Sequence, residues 1–360
     1  MSKVWRAGVI GAGFISVRGH VPGYRSVPGV EVVALCDVNE ARVRAVAEEL
    51  GIPHAYTDYR QMLQKEQLDL VSVCSPNAFH AEMTIAALEA GAHVLCEKPM
   101  ALTYADALAM VETSRRVGRS LTVGFHNRYR PEMQAAHALA QSGKLGEIYY
   151  AKASMLRRKG IPGYGSWFTN KDLAGGGALM DIGCHILDLA LWMLGHPKPV
   201  AVVGATYAKF GPRAKGLGTW GADHLGPGAR FDVDDLATAW VRFEGGLTLT
   251  VEASWASHGT DGTRLQIFGT EGGIEYNDKL FGNQQPIHVF GAVDDTLTEE
   301  PLAFPEAVGT PYQREITDWI GAIEEGREPL VRPEQAAMVV QIVEGIYRSA
   351  ESGREVLLSS

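Results

Sequence analysis

The 360-residue sequence predicts two domains, a doubly wound α/β domain on a parallel sheet followed by an α+β domain on an open, largely antiparallel sheet. Three observations carry this. Over the first third, short apolar runs alternate with amphipathic stretches of helical period, the pattern of a parallel sheet covered by helices. After Gly146 the runs lengthen and several follow one another across paired glycines. A composition of 46% hydrophobic and 21% charged residues suits globular domains with a sizeable core.

In the first domain the expected strands are Arg6 to Ile10, Val30 to Asp37, Leu68 to Ser75, His93 to Cys96 and Ser120 to Gly124. Between them lie the helical segments Asn39 to Leu50, Ala78 to Ala90 and Thr103 to Val117, each followed by a glycine suited to a helix C-terminus. A further helix, Pro131 to Gln141, ends at Ser142-Gly143 and marks the passage into the second domain. The expected division is 1–126 and 127–360, with the last helix packing back on the first domain.

The second domain's expected strands are Glu147 to Arg158, Val200 to Phe210, Leu236 to Phe243, Leu247 to Trp255, Arg264 to Phe268 and Ile274 to Tyr276. Gly245-Gly246 and Gly272-Gly273 sit between consecutive runs and predict antiparallel hairpins. Helices are expected over Ala178 to Leu194, Tyr312 to Glu325 and Glu334 to Ser352. The Gly-rich stretch Gly211 to Gly228 reads as a long loop on the substrate side or at a subunit contact.

The formal net charge of -9, with no dense Lys/Arg run, argues against nucleic acid as a partner. No stretch reads as a membrane span, and no leader pattern precedes the first strand. Cys36, Cys74, Cys96 and Cys184 are scattered without a C-x-x-C pair, so reduced thiols and a cytoplasmic protein are expected.

The first strand runs into Gly11-Ala12-Gly13-Phe14-Ile15-Ser16, two glycines of a dinucleotide (Rossmann) fingerprint with Ser in place of the third. Gly11 permits the tight turn, and Gly13 lets pyrophosphate approach the backbone at the positive end of the next helix; Gly11, Gly13, Phe14 and Ile15 are the cofactor-binding candidates here. Such a loop alone is more often a plain turn. Asp37, ending the second strand, stands where an acid meets the adenosine ribose and repels a 2′-phosphate, which favours NAD over NADP. It could equally cap the helix near Asn39. Ser75, Pro76, Asn77 and His80 follow a later strand and could line the cofactor cleft, or simply start a helix.

Glu97-Lys98-Pro99 leaves the sheet's carboxyl edge, where Lys98 could stabilise alkoxide character at a reacting carbon; a solvated loop lysine is the plainer alternative. Further on, Asp181, His185 and Asp188 share one face of an apolar helix after Gly175-Gly176-Gly177. A carboxylate-tuned histidine there suits a general base, and two acids with a histidine are costly to bury without purpose. A metal is the rival use, but no second His or Cys stands nearby at ligand spacing, so none is expected.

Three stretches together resemble the Gfo/Idh/MocA oxidoreductases: Glu97-Lys98-Pro99, Gly124-Phe125-His126-Asn127-Arg128-Tyr129-Arg130-Pro131 and Asp181-Ile182-Gly183-Cys184-His185-Ile186-Leu187-Asp188. The resemblance spans nearly the whole chain. It implies catalytic roles for Lys98, Asp181 and His185: His185 takes the substrate hydroxyl proton, Lys98 polarises that oxygen, and Asp181 orients or charge-balances the pair. It also implies a place near cofactor or substrate for Glu97, Asn127, Arg128 and Trp167, and a homodimer or homotetramer built through the second domain's sheet. Ser16 departs from the fingerprint and bears on helix packing. Within Arg157 to Phe168, Arg158, Tyr164 and Trp167 could offer a donor and a stacking face to a sugar, or serve subunit contacts. The implied activity is NAD-dependent oxidation or reduction of a secondary hydroxyl of a sugar, inositol or glycoside. A glycosidase or lyase that retains NAD and oxidises its sugar transiently, and a non-catalytic NAD- or sugar-sensing regulator, are the alternatives.

Overall fold

The computed structural model describes residues 4–220, 229–282 and 284–358, which form two compact units. The first unit comprises Met1–Tyr129 and Val308–Ala337. Its strands are β1 (Trp5–Ile10), β2 (Val30–Cys36), β3 (His54–Tyr56), β4 (Leu70–Val73), β5 (His93–Cys96) and β6 (Leu121–Val123). They form one parallel sheet in the order β3-β2-β1-β4-β5-β6, whose direction of winding reverses between β1 and β4. Ligands bind at the carboxyl ends of strands beside such a reversal.

Helices α1 (Val21–Arg25), α2 (Glu40–Leu50), α3 (Tyr59–Lys65), α4 (His80–Glu89) and α5 (Tyr104–Val117) connect these strands. Their ends are written in local chemistry: Asn39, Asp58 and Thr103 accept first-turn amides of α2, α3 and α5, and Gly51 and Gly118 end α2 and α5 in the left-handed conformation. The sequence reading lacked β3 and α3, because β3 is three residues long and has no buried position to generate a hydrophobic signal.

The second unit comprises Arg130–Ala307 and Met338–Ser360. After α6 (Pro131–Gln141), its strands are β7 (Ile148–Leu156), β8 (Pro199–Tyr207), β9 (Leu236–Phe243), β10 (Thr248–Ser254), β11 (Gly262–Gly269), β12 (Gly273–Asn277), β13 (Ile287–Val293), β14 (Thr296–Pro301) and β15 (Val356–Leu357). They pair in the order β14-β13-β12-β11-β7-β10-β9-β8-β15, antiparallel except for β7 with β10. The two glycine pairs do join antiparallel neighbours, β9 to β10 and β11 to β12. Inward positions such as Ala151, Ala153, Leu249 and Val251 are buried, and a π-helical turn (Leu179–Gly183) with α8 (Cys184–Met193), preceded by the short α7 (Lys171–Ala174), packs on β7 and β10. The segment Lys171–Met193 is long and apolar enough for a membrane span, yet it lies mostly buried in this structure, as a core helix does.

The remaining helices, α9 (Pro311–Glu325) and α10 (Pro333–Ser352), depart from the expected division. Ile316, Trp319 and Ile320 of α9 enter the core formed by Trp5, Val9, Tyr24, Leu35 and Leu95, so α9 belongs to the first unit. The chain changes unit at Tyr129/Arg130, and α10 passes from the first to the second between Ala337 and Met338.

Candidate active-site residues

In the first unit Gly11 has φ 101°, donates its N–H to Cys36 O at 2.7 Å, and would place an added Cβ 2.4 Å from Cys74 O. Only glycine fits there. A Cβ on Gly13 would meet nothing within 4 Å, so the loop is open where a phosphate would approach. The helix begins at Phe14, which is exposed, with Ile15 half-buried, and its first-turn amides point at that opening. Ser16 is buried and its hydroxyl donates to Gly11 O at 2.5 Å. The departure from a third glycine thus closes the loop on itself. These residues fit a dinucleotide pyrophosphate.

Asp37 joins the same opening. Its Oδ2 accepts the Ala12 N–H and its Oδ1 the Asn39 N–H, both at 2.9 Å. The cap of α2 is Asn39, whose side chain accepts the Arg42 N–H at 3.0 Å. Asp37 therefore orders the glycine loop and keeps lone pairs for further donors.

Of the residues after β4, Ser75 and Pro76 are half-buried and Asn77 is buried at the start of a 3-10 turn. Both ring nitrogens of His80 meet main-chain carbonyls: its Nδ1 lies 2.7 Å from Pro99 O and its Nε2 2.9 Å from Ser75 O. Burial pushes its pKa down, against the two carbonyls, which favour the protonated ring. It clasps the β4 exit to the Lys98 loop.

Lys98 follows β5, half-buried, and a cis peptide joins it to Pro99. The buried Glu97 accepts the Lys98 N–H at 3.1 Å through Oε2, while its Oε1 lies 2.9 Å from His20 Nε2. Glu97 thus braces the loop from within. His126, half-buried beside Asn127, stacks on Tyr312 with ring centroids 4.3 Å apart. Burial raises the Tyr312 phenol to about 12, the Glu97 charge adds to this and Lys98 opposes it. His20 and Tyr312 were not singled out from sequence, since each reaches this place from a distant segment with no local motif, and His126 entered only as part of the Gly124–Pro131 stretch.

Arg128, which the resemblance sets near cofactor or substrate, is engaged within its own unit. It is fully buried, and its Nη1 donates to Gln335 Oε1 at 2.7 Å and Leu330 O at 3.3 Å. It fastens the turn after β6 to the start of α10.

In the second unit Asp181 lies on the π-helical turn and His185 in the first turn of α8, where a plain α-helix was expected. Such turns recur at functional sites. Asp181 is half-buried and accepts the Trp255 indole N–H through Oδ2 at 2.9 Å, whereas His185 and Asp188 are buried. The start of this helix is held by Asp234, unnoticed in the sequence: its carboxylate accepts the N–H of Gly177 at 2.7 Å, the N–H of Leu179 at 3.0 Å and the Tyr347 hydroxyl at 2.8 Å. Burial raises the Asp234 pKa against these three bonds. A Cβ on Gly177 would lie 1.8 Å from Asp234 O.

The neighbouring loop packs on the same helix start. Tyr164 stacks on Phe231 at 5.9 Å and both pack against Ala178, Ile182 and Trp255. Trp167 lies 3.8 Å from Phe168, which meets Trp220 edge-on at 4.9 Å. Arg158 is exposed, its N–H bonded to Asp261 Oδ1 at 2.6 Å. The part of the predicted Gly-rich loop over 221–228 lies outside the described residues. No three His, Cys, Asp or Glu side chains gather as a metal-binding group among the described residues.

Two family descriptions match the chain: an NAD-binding Rossmann-fold oxidoreductase family, GFO/IDH/MocA, over residues 5–125, and the GFO/IDH/MocA C-terminal domain over 133–275. The D-glucoside 3-dehydrogenase of Escherichia coli K12 is 35% identical, covering 99% of this chain and 98% of that one. D-xylose 1-dehydrogenase (NADP(+)) 2 of Haloferax volcanii is 30% identical, over 98% and 99% of the two chains. Among solved structures, levoglucosan dehydrogenase in complex with NADH and levoglucosan superposes with a TM-score of 0.84 at 26% identity, covering 99% of this chain and 100% of that one.

Proposed function

The chain belongs to the Gfo/Idh/MocA family of NAD(P)-dependent sugar oxidoreductases, and from that premise we propose that it moves a hydride between NAD and a secondary hydroxyl carbon of a glycoside, sugar or inositol. The observation that carries the reading is that the glycine loop after β1 and Lys98 after β5 leave the same carboxyl edge of one parallel sheet, with only β4 between their strands. Glucosides head the substrate candidates on the strength of the 35% identical relative.

The amides from Gly13 to Ile15 hold the pyrophosphate, and Asp37 receives the ribose hydroxyls and repels a 2′-phosphate, so NAD is preferred. When bound, the nicotinamide supplies the hydride acceptor or donor. Lys98 stabilises negative charge building on the substrate oxygen, and His185 takes the proton that leaves it. Asp181, fixed by Trp255, orients and charge-balances this pair. Tyr164 and Trp167 offer aromatic faces to the sugar.

We propose further that two copies pair through the second unit's sheet. One register row crosses its outer face from Val203 through Trp240, Thr250, Lys152 and Gln266 to Glu275, with Val203 44% and Trp240 37% exposed. Large apolar side chains on such a face suit an isologous contact.

The test is NAD-linked absorbance with methyl glucosides, free aldoses and inositols, alongside Lys98→Ala. Turnover of at least one compound is expected, with kcat lowered about a thousandfold or more in the variant and NADH still bound. No turnover across the panel, or an unimpaired variant, contradicts the reading.

A further inference from the structure

We propose that His20 and Glu97 form a positioning pair that holds Lys98 and balances its charge, tying it to the helix that follows the glycine loop; the catalytic consequence rests on the role given to Lys98 above. His20 ends the π-helical turn Ser16–His20 of that helix, and Glu97 immediately precedes Lys98. One Glu97 oxygen meets His20 Nε2 at 2.9 Å and the other accepts the Lys98 N–H at 3.1 Å. Behind the pair, His20 Nδ1 lies 2.7 Å from Ser72 Oγ, which lies 2.8 Å from the Tyr24 hydroxyl. A movement of the cofactor-side helix therefore reaches the Lys98 loop through a single side-chain contact.

The chain of bonds ends on Tyr24, which is fully buried, as is Ser72. That branch, closed by an enclosed phenol, delivers no proton to water; His20 also meets the half-buried Cys74, and the Glu97–His20 contact fixes the geometry between helix and loop. A carboxylate and an imidazole are buried together only where each compensates the other. Burial pushes Glu97 up, but the His20 hydrogen bond and charge bring it below its ordinary range. Burial pushes His20 down, but Cys74 and then Glu97 hold it well above. Further titratable groups facing Glu97 or Lys98 are His80 at the start of α4, Cys96 at the end of β5, His126 after β6 and Tyr312 on α9. With the pair intact, Lys98 faces a neutral couple whose negative member is nearer in the chain. Loss of either member leaves it with a changed charge of known sign.

The experiment is trace acetylation of the full chain with acetic anhydride across a pH series, read at Lys98 by peptide mass spectrometry, in wild type, Glu97→Gln and His20→Gln. The Lys98 labelling midpoint is expected to move about one pH unit down in Glu97→Gln and up in His20→Gln. In both variants kcat on a compound turned over by wild type falls at least about tenfold while NADH affinity stays within about threefold. A merely structural pair leaves the labelling curve in place in both folded variants, and that result overturns the proposal. Should Glu97→Gln fail to fold, the direction of the His20→Gln shift decides. Labelling needs no substrate, so shifted midpoints in a protein that turns over no sugar sink the functional reading and keep the positioning pair.

Discussion

Asp37 has a structural task at the glycine loop and, in the function proposed, a selective one as well. Two main-chain donors fill part of its carboxylate and hold it at the glycine loop, so its charge stands at a fixed place. Asp37→Ser is expected to raise the ratio of kcat/KM with NADP to that with NAD by at least about tenfold, measured with one substrate. An unchanged ratio places cofactor choice elsewhere. Gly11, Asp37 and Lys98 were legible in sequence because each follows an apolar strand at its carboxyl end, where chain position alone predicts location. His20, Tyr312 and Asp234 were not, because their meaning lies in contacts with segments far away in the chain. The Arg128 contacts with Gln335 and Leu330 were not legible for the same reason: a motif names a residue but not the direction of its side chain.

At the scale of elements, the start of the helix bearing Asp181 and His185 rests on a close backbone approach. Gly177→Ala would drive a methyl group to 1.8 Å from a main-chain oxygen, which no rotamer change relieves. Destabilisation of about 3 kcal/mol or more in denaturant unfolding is expected. A variant as stable as wild type would show that the Asp234 anchor moves freely. Among the strands missed from sequence, β3 has no buried residue and β14, Thr-Leu-Thr-Glu-Glu-Pro, has none either, whereas β13, Ile-His-Val-Phe-Gly-Ala-Val, was missed despite its apolar residues. Hairpins marked by glycine pairs, and helices with an apolar stripe and a terminal glycine, were readable because their signals are local.

For the whole molecule, α9 returning to the first unit is the feature that a linear reading of domains cannot contain, since its apolar stripe identifies a buried face but not the partner. Stability of the whole also carries the mark of the His20–Glu97 pair. Glu97, held low, contributes stability that is complete above its unfolded value of 4.5 and is lost as pH falls through its folded value. His20, held high, contributes stability that is complete below 6.5 and is lost as pH rises through its folded value. The difference in Tm between wild type and His20→Gln is therefore expected to be greatest between these two values and to shrink on both sides. A difference independent of pH would mean that the pair is not ionic.

The central claim, hydride transfer at a sugar carbon, is tested most directly by following the label. Perdeuterated methyl glucosides and unlabelled NAD are incubated with the full chain, and the nicotinamide is read by mass spectrometry. Deuterium on the nicotinamide ring of the NADH formed, absent with Lys98→Ala, is the result expected for net oxidation of the sugar. A protein that binds NADH and turns over a glucoside without placing deuterium on the nicotinamide would contradict the account.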